Sequence, residues 1–248
     1  MKIGMTSLTL RNEPVENVIK YVKEAGLSGI EWGVSDLHMP LCDKAQAEKI
    51  KKLSEENGIE IFSLGSYCRM LDKEDCDKAL ETAVMLSAPI IRIWAGKSAW
   101  EECDSETVET IIQNTLYMAE KAEAHGIVLG FEYHTNTLTQ GVDNAVKLME
   151  RTNHKNVGLY WQPSGNISPQ ENLAAFRKVM PYLVGNLHVH NHNSVDGYQS
   201  LSGIVDNLRM YYNDVQTEDY NLMIEFVKDG SVENLKADAK TLQSLFEN

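Results

Sequence analysis

Polar residues that can bind a metal ion or transfer a proton interrupt four short apolar stretches in the second half of the chain. Glu132 and Glu225 each lie within a stretch that is otherwise apolar, Gln162 ends a third stretch, and His188 and His190 lie two positions apart in a fourth. A carboxylate buried in apolar surroundings is costly unless it is paired or bound to a metal. We therefore interpret Glu132 and Glu225 as functional residues, with a structural ion pair as the alternative.

The types of these residues predict a site for a hard or borderline metal ion. Two carboxylates, an imidazole and an amide oxygen suit Mn²⁺, Mg²⁺, Co²⁺ or Zn²⁺ and do not suit a metal that prefers thiolates. We expect one divalent ion, bound by Glu132, Gln162, His188 and Glu225. Such an ion polarises a hydroxyl and a carbonyl group and stabilises an enediolate, while flanking carboxylates move a proton.

An alternation of short apolar runs and longer amphipathic stretches, repeated eight times, indicates the elements that carry these residues. This is the pattern of βα units. Eight units of similar length, without a Pro- or Gly-rich linker, favour a closed (β/α)8 barrel of the α/β class over a doubly wound sheet, which stays the alternative fold. The predicted strands cover residues 3–6, 29–32, 59–65, 89–95, 127–133, 157–162, 184–189 and 221–226, and the clearest helical patterns cover 15–25, 45–57, 107–124 and 235–246.

A barrel of this kind would gather the candidate residues at one place. Residues two apart on a strand share a face, so Glu132 lies with His134 and His188 lies with His190. The carboxyl ends of barrel strands meet at one mouth, where polar residues indicate chemistry. We expect His134 and His190 to contact the substrate or the metal ligands.

Earlier predicted strands offer further polar and aromatic groups for substrate binding. Glu31 is expected to face inward, where Arg92 could neutralise it or bind substrate oxygens. Trp94, Trp32 and His38 are candidates for an apolar wall against a sugar ring, with simple packing as the alternative.

The segment after the last predicted strand lies where many barrels bind a phosphate group. It reads Lys228-Asp229-Gly230-Ser231 and precedes the last predicted helix. We interpret Ser231 as the N-cap of that helix rather than as a phosphate ligand.

Composition limits the class of protein and its partners. The 248 residues fit one barrel domain, 1–248. The 36 acidic and 23 basic residues give a net charge of -13, which argues against a nucleic acid as the binding partner. No apolar run approaches the roughly 20 residues of a membrane span, and the first predicted strand leaves no room for a secretion signal. The four cysteines form no Cys-x-x-Cys pair. We expect a cytoplasmic protein with reduced cysteines that binds no nucleic acid or membrane, and the sequence leaves a homo-oligomer open.

Several of these motifs together resemble a known family. They are Gly29-Ile30-Glu31-Trp32, Phe131-Glu132-Tyr133-His134, Asn156-Val157-Gly158-Leu159, Leu187-His188-Val189 and Met223-Ile224-Glu225-Phe226. In order and spacing they are similar to the xylose-isomerase-like superfamily of sugar phosphate isomerases and epimerases, over nearly the whole chain. The resemblance implies one divalent metal ion, bound by Glu, Asp, His and Glu from strands five to eight, with the two glutamates as the acid-base pair. By position these glutamates are Glu132 and Glu225, and the histidine is His188.

The chain departs from this family pattern on two strands. Gln162 and Gly165 stand where the family has Asp and, often, His. An amide oxygen can bind a hard cation but brings no charge, so the affinity for the metal should be lower. On strand seven, His190-Asn191 replaces the Lys-Asp or Gly-Glu that relatives often carry.

The resulting hypothesis is an isomerase or epimerase of a small carbohydrate, a ketose or related polyol, in which Glu132 and Glu225 exchange a proton beside the carbonyl. A keto-polyol dehydratase of the same superfamily and a catalytically silent sugar-binding barrel without a tightly bound metal are the alternatives. A hydrolase that uses the His188-x-His190 pair ranks lower. A DNA-repair endonuclease ranks last, because the net charge is negative.

Overall fold

Eight parallel strands form a closed barrel in the computed structural model, which describes residues 1–213 and 220–246. Going round the barrel, their order is β1, β10, β7, β6, β5, β4, β3, β2, so strands that follow one another in the chain are neighbours. The barrel strands are β1 Lys2–Thr6, β2 Gly29–Gly33, β3 Glu60–Gly65, β4 Ile90–Ile93, β5 Val128–Glu132, β6 Val157–Trp161, β7 Leu183–Val189 and β10 Asn221–Ile224. The prediction of a (β/α)8 barrel is confirmed, whereas that of one domain over 1–248 stays a prediction.

Helices surround the barrel and connect its strands. They are α1 Val15–Glu24, α2 Lys44–Asn57, α3 Lys73–Leu86, α4 Ser105–Glu123, α5 Val142–Thr152, α6 Pro169–Val179, α7 Val205–Tyr212 and α8 Val232–Ser244. Ser231 caps α8 by accepting a hydrogen bond from the Asn234 amide, as predicted. Gly58 ends α2 at φ 67°, a conformation that glycine adopts without strain.

The interior of the barrel below its mouth is polar and hydrogen-bonded. The Asn186 amide donates to Ser63 Oγ at 3.1 Å and to the Tyr160 hydroxyl at 2.8 Å, and Ser63 donates to Glu31 at 2.9 Å. All four side chains are buried, so their polar atoms depend on one another for partners. This network supports the charged groups above it.

A short antiparallel hairpin follows β7 and has no counterpart among the predicted strands. Its strands are β8 Asn191–Asn193 and β9 Gly197–Gln199, and the Asn193 carboxamide accepts from the amides of Val195 and Asp196 in the turn. His192, which follows the seventh predicted strand, lies on β8 with an exposed side chain.

Candidate active site

A cavity of about 1050 Å³ opens at the carboxyl ends of the strands, where a barrel of this class carries its chemistry. Its wall includes one residue from the end of each of the last four barrel strands: Glu132, the last residue of β5, and Gln162, His190 and Glu225, which directly follow β6, β7 and β10. The predicted convergence of these strand ends is therefore present in the structure.

Glu132, His188 and Glu225 form a buried cluster at the inner end of the cavity. One nitrogen or oxygen atom from each side chain lies within 4.8 Å of the others. His188 Nδ1 is 3.3 Å from a Glu225 oxygen and 3.8 Å from a Glu132 oxygen. Three of the four predicted metal ligands can thus reach one small ion, although His188 itself lies behind the cavity wall rather than in it.

Arg92 connects this cluster to the interior of the barrel. Its Nε donates to Glu31 Oε1 at 2.8 Å, and Nη1 pairs with Glu132. All three side chains are buried, so their charges compensate one another in a medium of low dielectric constant. A Cβ atom at Gly65 would lie 2.8 Å from the Glu31 carboxylate and 2.9 Å from the Arg92 guanidinium, so glycine is required there.

The charges of the cluster are set by opposing effects. Burial alone would raise the pKa of Glu31, but Arg92 and His188 outweigh it and lower that pKa to about 2. Burial alone would lower the pKa of His188, whereas Glu225 and Glu31 raise it to about 10. For Glu225, burial is outweighed by His188 and His190, which hold its pKa well below the usual range. Paired charges, rather than neutral groups, therefore occupy this region.

Gln162 and His190, two side chains of the cavity wall, have polar atoms without a hydrogen-bond partner among the described residues. Gln162 donates through Nε2 to the Tyr133 carbonyl at 2.9 Å, while its Oε1 is buried and has no hydrogen-bond partner among the described residues. The same is true of His190 Nδ1, which lies 3.4 Å from a Glu225 oxygen. The Gln162 oxygen is a ligand type that, together with Glu132, His188 and Glu225, suits a divalent cation.

Trp94 lines the cavity with its edge rather than its faces. His134 stacks on one side with ring centroids 4.4 Å apart, and the Arg69 guanidinium lies 4.3 Å from the Trp94 ring centroid. Its indole Nε1 is buried and has no hydrogen-bond partner within residues 1–213 and 220–246. Trp94 and His134 thus reach the cavity as predicted, but ring stacking on a sugar is not the role that this arrangement favours.

Three residues predicted to bind substrate do not line the cavity. Glu31 is fully buried beneath it, and Trp32 is fully buried in the core. His38 is buried and uses both ring nitrogens for contacts of 2.9 Å, with Ser7 Oγ and with the Glu13 carbonyl. Glu31 therefore contacts Arg92 rather than the cavity, and the other two side chains pack in the interior.

The hairpin contributes cavity residues that were not predicted. His192 and Tyr198 both line the cavity, with ring centroids 4.7 Å apart, and Tyr198 packs against Phe226 at 5.0 Å. A Cβ atom at Gly165 would lie 1.8 Å from the His192 carbonyl oxygen, so the missing side chain makes room for the hairpin. The departure of Gly165 from the family pattern was the available signal.

No helix in the described part of the chain is long and apolar enough to cross a membrane.

Known proteins share the fold described here. A 3-dehydroshikimate dehydratase of Bacillus anthracis is 19% identical over 212 residues, which cover 79% of this chain and 74% of that protein. The crystal structure of the probable 3-dehydroshikimate dehydratase of the same organism, involved in petrobactin synthesis, aligns with a TM-score of 0.81 at 19% identity, covering 98% of this chain and 99% of the other.

Two further solved structures are similar over nearly the whole chain. D-psicose 3-epimerase of Clostridium cellulolyticum H10, determined with D-tagatose, aligns with a TM-score of 0.76 at 17% identity, covering 99% of this chain and 98% of the epimerase. A xylose isomerase-like barrel protein of Mycobacterium smegmatis, in complex with magnesium, aligns with a TM-score of 0.72 at 17% identity, covering 98% and 96%. At these identities the likeness shows the fold alone.

The sequence itself matches a family model. The match covers residues 19–216, most of the chain, and the family is described as xylose isomerase-like TIM barrel. The order of the strands, the closed barrel and the position of the cavity agree with this match. The chain therefore belongs to the xylose isomerase-like TIM barrel family.

Proposed function

We propose that this protein is an isomerase or epimerase of a small carbohydrate that moves a proton between Glu132 and Glu225. The observation that carries the proposal is the convergence of these two buried carboxylates on one cavity, within reach of His188. An epimerase of D-psicose has the same fold, which supports this class of reaction.

Glu132, His188 and Glu225, with the unpartnered Gln162 Oε1, are the residues that would bind a divalent metal ion. The bound ion would polarise the carbonyl and the neighbouring hydroxyl of the substrate.

The remaining chemistry falls to the side chains of the chain itself. One glutamate, as the carboxylate, removes the proton from the carbon beside the carbonyl. The other, once it has taken up a proton from solvent, donates that proton to the same carbon in an epimerase or to its neighbour in an isomerase, and the two glutamates exchange protonation states. Arg92 orients the Glu132 carboxylate, and His190 contacts a Glu225 oxygen at 3.4 Å. Both glutamates are fixed before the substrate arrives, which favours proton transfer.

The test is solvent deuterium uptake at carbon. Protein loaded with Mn²⁺ or Co²⁺ is incubated in D₂O with a panel of ketoses and polyol ketones, and deuterium is detected by mass spectrometry. Glu225→Gln preserves the size of the side chain and should lower the uptake rate by more than about a hundredfold. Glu60→Gln is the matched control, because Glu60 pairs with Lys2 on the surface, far from the cavity. Uptake that persists in Glu225→Gln would refute the assigned role.

A dehydratase is the second candidate, and the similar 3-dehydroshikimate dehydratase is the observation that favours it. Elimination would begin with the same proton removal but release water. The product would then be lighter by one water molecule, whereas an isomerase product has an unchanged mass. The same incubation, carried out with 3-dehydroshikimate as well, separates the two reactions.

A further inference from the structure

We infer that the substrate is uncharged: a polyhydroxy ketone or aldehyde that carries neither a phosphate nor a carboxylate group. This inference rests on the proposed function and adds the charge of the substrate, which the proposal leaves open. It depends on how charge and hydrogen-bonding capacity are distributed over the cavity wall.

The basic side chains of the described cavity wall already have acidic partners. Among the lining residues, lysine and arginine are represented by Arg92 and Lys178. Arg92 is buried between Glu31 and Glu132, and Lys178 pairs with Asp143. A phosphate dianion would have to displace a carboxylate from one of them.

The described cavity wall carries no surplus of positive charge from the chain. Glu132 and Glu225 at its inner end are compensated by Arg92 and His188, and Glu171 lines it nearer the surface. Burial and the neighbouring His190 lower the pKa of His192, so this lining histidine adds no positive charge at neutral pH. A bound dianion would therefore meet the Glu171 carboxylate and no unpaired lysine or arginine among the described lining residues.

The position at which barrels commonly bind phosphate is filled by a carboxylate of the chain. Asp229 Oδ1 accepts from the Ser231 amide at 3.2 Å and from Asn234 Nδ2 at 2.9 Å, and Ser231 Oγ accepts from the Asn234 amide at 3.2 Å. The backbone amides of Ser231 and Asn234 at the start of α8 thus donate to side chains of the chain rather than to an external anion.

The cavity offers neutral hydrogen-bonding groups instead. Gln162 Oε1 is an acceptor and Trp94 Nε1 is a donor, and both are buried without partners among the described residues. Gln162 Oε1 has two lone pairs, so it can accept from a substrate hydroxyl and also bind the ion, and the same hydroxyl can accept from Trp94 Nε1, whereas a phosphate oxygen can satisfy only the donor. Because Arg69 and His134 cover the faces of Trp94, a substrate can reach this ring only at its edge, where Nε1 is the hydrogen-bonding atom.

The inference is tested by measuring binding for matched pairs of sugars. Protein loaded with Mn²⁺ is titrated calorimetrically with D-fructose, D-tagatose and D-psicose, with the 6-phosphate of each, and with 3-dehydroshikimate. We expect the best neutral sugar to bind at least about tenfold more tightly than its phosphate ester and than 3-dehydroshikimate. Trp94→Phe should lower the affinity for that neutral sugar by about fivefold or more, since it removes the indole N–H donor. Trp100→Phe, which changes a tryptophan that packs against Lys147 outside the cavity, should not.

The outcomes separate the inference from the proposed function. A phosphate ester or 3-dehydroshikimate that binds as tightly as the neutral sugars, or more tightly, would overturn the inference. If a phosphate ester that binds in this way also takes up deuterium without loss of water, the proposed function stands. If no ligand in the panel binds and none takes up deuterium, the inference and the proposed function are both overturned. Neutral binding that Trp94→Phe leaves unchanged would refute the assigned contact.

Discussion

Replacing Arg92 by methionine tests whether the buried charges at the inner end of the cavity depend on one another. Methionine keeps most of the length of the side chain but removes the guanidinium. Arg92 Nε lies 2.8 Å from Glu31, and the same guanidinium pairs with Glu132. The substitution would remove the guanidinium from both buried carboxylates and leave His188 as their remaining counter-charge.

The expected loss of stability follows from this burial. Removing one partner of a buried pair costs about 3–5 kcal/mol, because the remaining charge stays away from water. For a domain of this size each kcal/mol lowers the melting temperature by about 2–4 °C, so Arg92→Met should melt about 6–20 °C below wild type. Lys2 pairs with Glu60 at 2.7 Å with both side chains half-exposed, and Lys2→Met should cost less than about 1 kcal/mol.

Thermal unfolding followed by circular dichroism measures both variants under the same conditions. The double variant Arg92→Met/Glu31→Gln should recover part of the loss, because it removes the charge of one of the two carboxylates that lose the guanidinium. A melting temperature for Arg92→Met within about 2 °C of wild type would contradict the reasoning, since it would mean that the carboxylates find water or protons at little cost.

Three further substitutions test other features. Gly165→Ala should lower the melting temperature by several degrees, because the added Cβ would lie 1.8 Å from the His192 carbonyl oxygen. Gly203→Ala is the control and should leave the melting temperature nearly unchanged, since its Cβ would have its nearest contact at 3.4 Å. Equal effects of the two substitutions would contradict the packing argument. Burial raises the pKa of Asp238 despite its bonds to neighbouring groups. Wild type should therefore lose stability relative to Asp238→Asn as the pH rises from about 4 to about 7, because the buried carboxyl group must then ionise. A difference in melting temperature between the two proteins that does not change with pH would contradict this. Gln162→Asp should raise the affinity for Mn²⁺, measured by calorimetry, and should lower the melting temperature of protein from which metal has been removed with a chelator. If neither the affinity nor the melting temperature changes in this way, the side chain at 162 does not face the ion.

The sequence was sufficient to predict the barrel because its signals are local and repeated. Each strand is a short apolar run, and Gly26, Gly58 and Gly126 lie after helices at positive φ, as their positions indicate. The predicted helix 45–57 differs from α2 by one residue at its start. The predicted ends of the strands were less accurate, because the apolar run in the sequence continues beyond the last hydrogen bond between strands. The last barrel strand was predicted to cover 221–226, whereas β10 ends at Ile224, before Glu225.

Convergence of the site residues could also be predicted, because the closed barrel dictates it. Once the fold is known, Glu132 and Glu225 must lie at one mouth. Which neighbours contribute depends on long-range packing, which the local pattern does not contain. His38 lies near a strand end in the sequence, yet its ring is held by Ser7 and Glu13 in the interior.

The hairpin shows the same limit for the cavity wall. Its position depends on contact between the β6–α6 connection and the His192 backbone, two segments that are separate in the chain. A glycine at 165 permits this contact but does not by itself predict it.

Metal affinity and stability would oppose each other at the proposed metal site, and residue 162 is where the two can be compared. Glu31, Glu132 and Glu225 already bring three buried acidic side chains, compensated by Arg92 and by a histidine whose pKa is raised. An aspartate at 162 would add a fourth acidic group to the same region, which would favour a divalent cation when it is present but destabilise the protein without it. Gln162 would supply an oxygen without that charge, so a site with this residue should bind the proposed ion more weakly but lose less stability when the ion is removed.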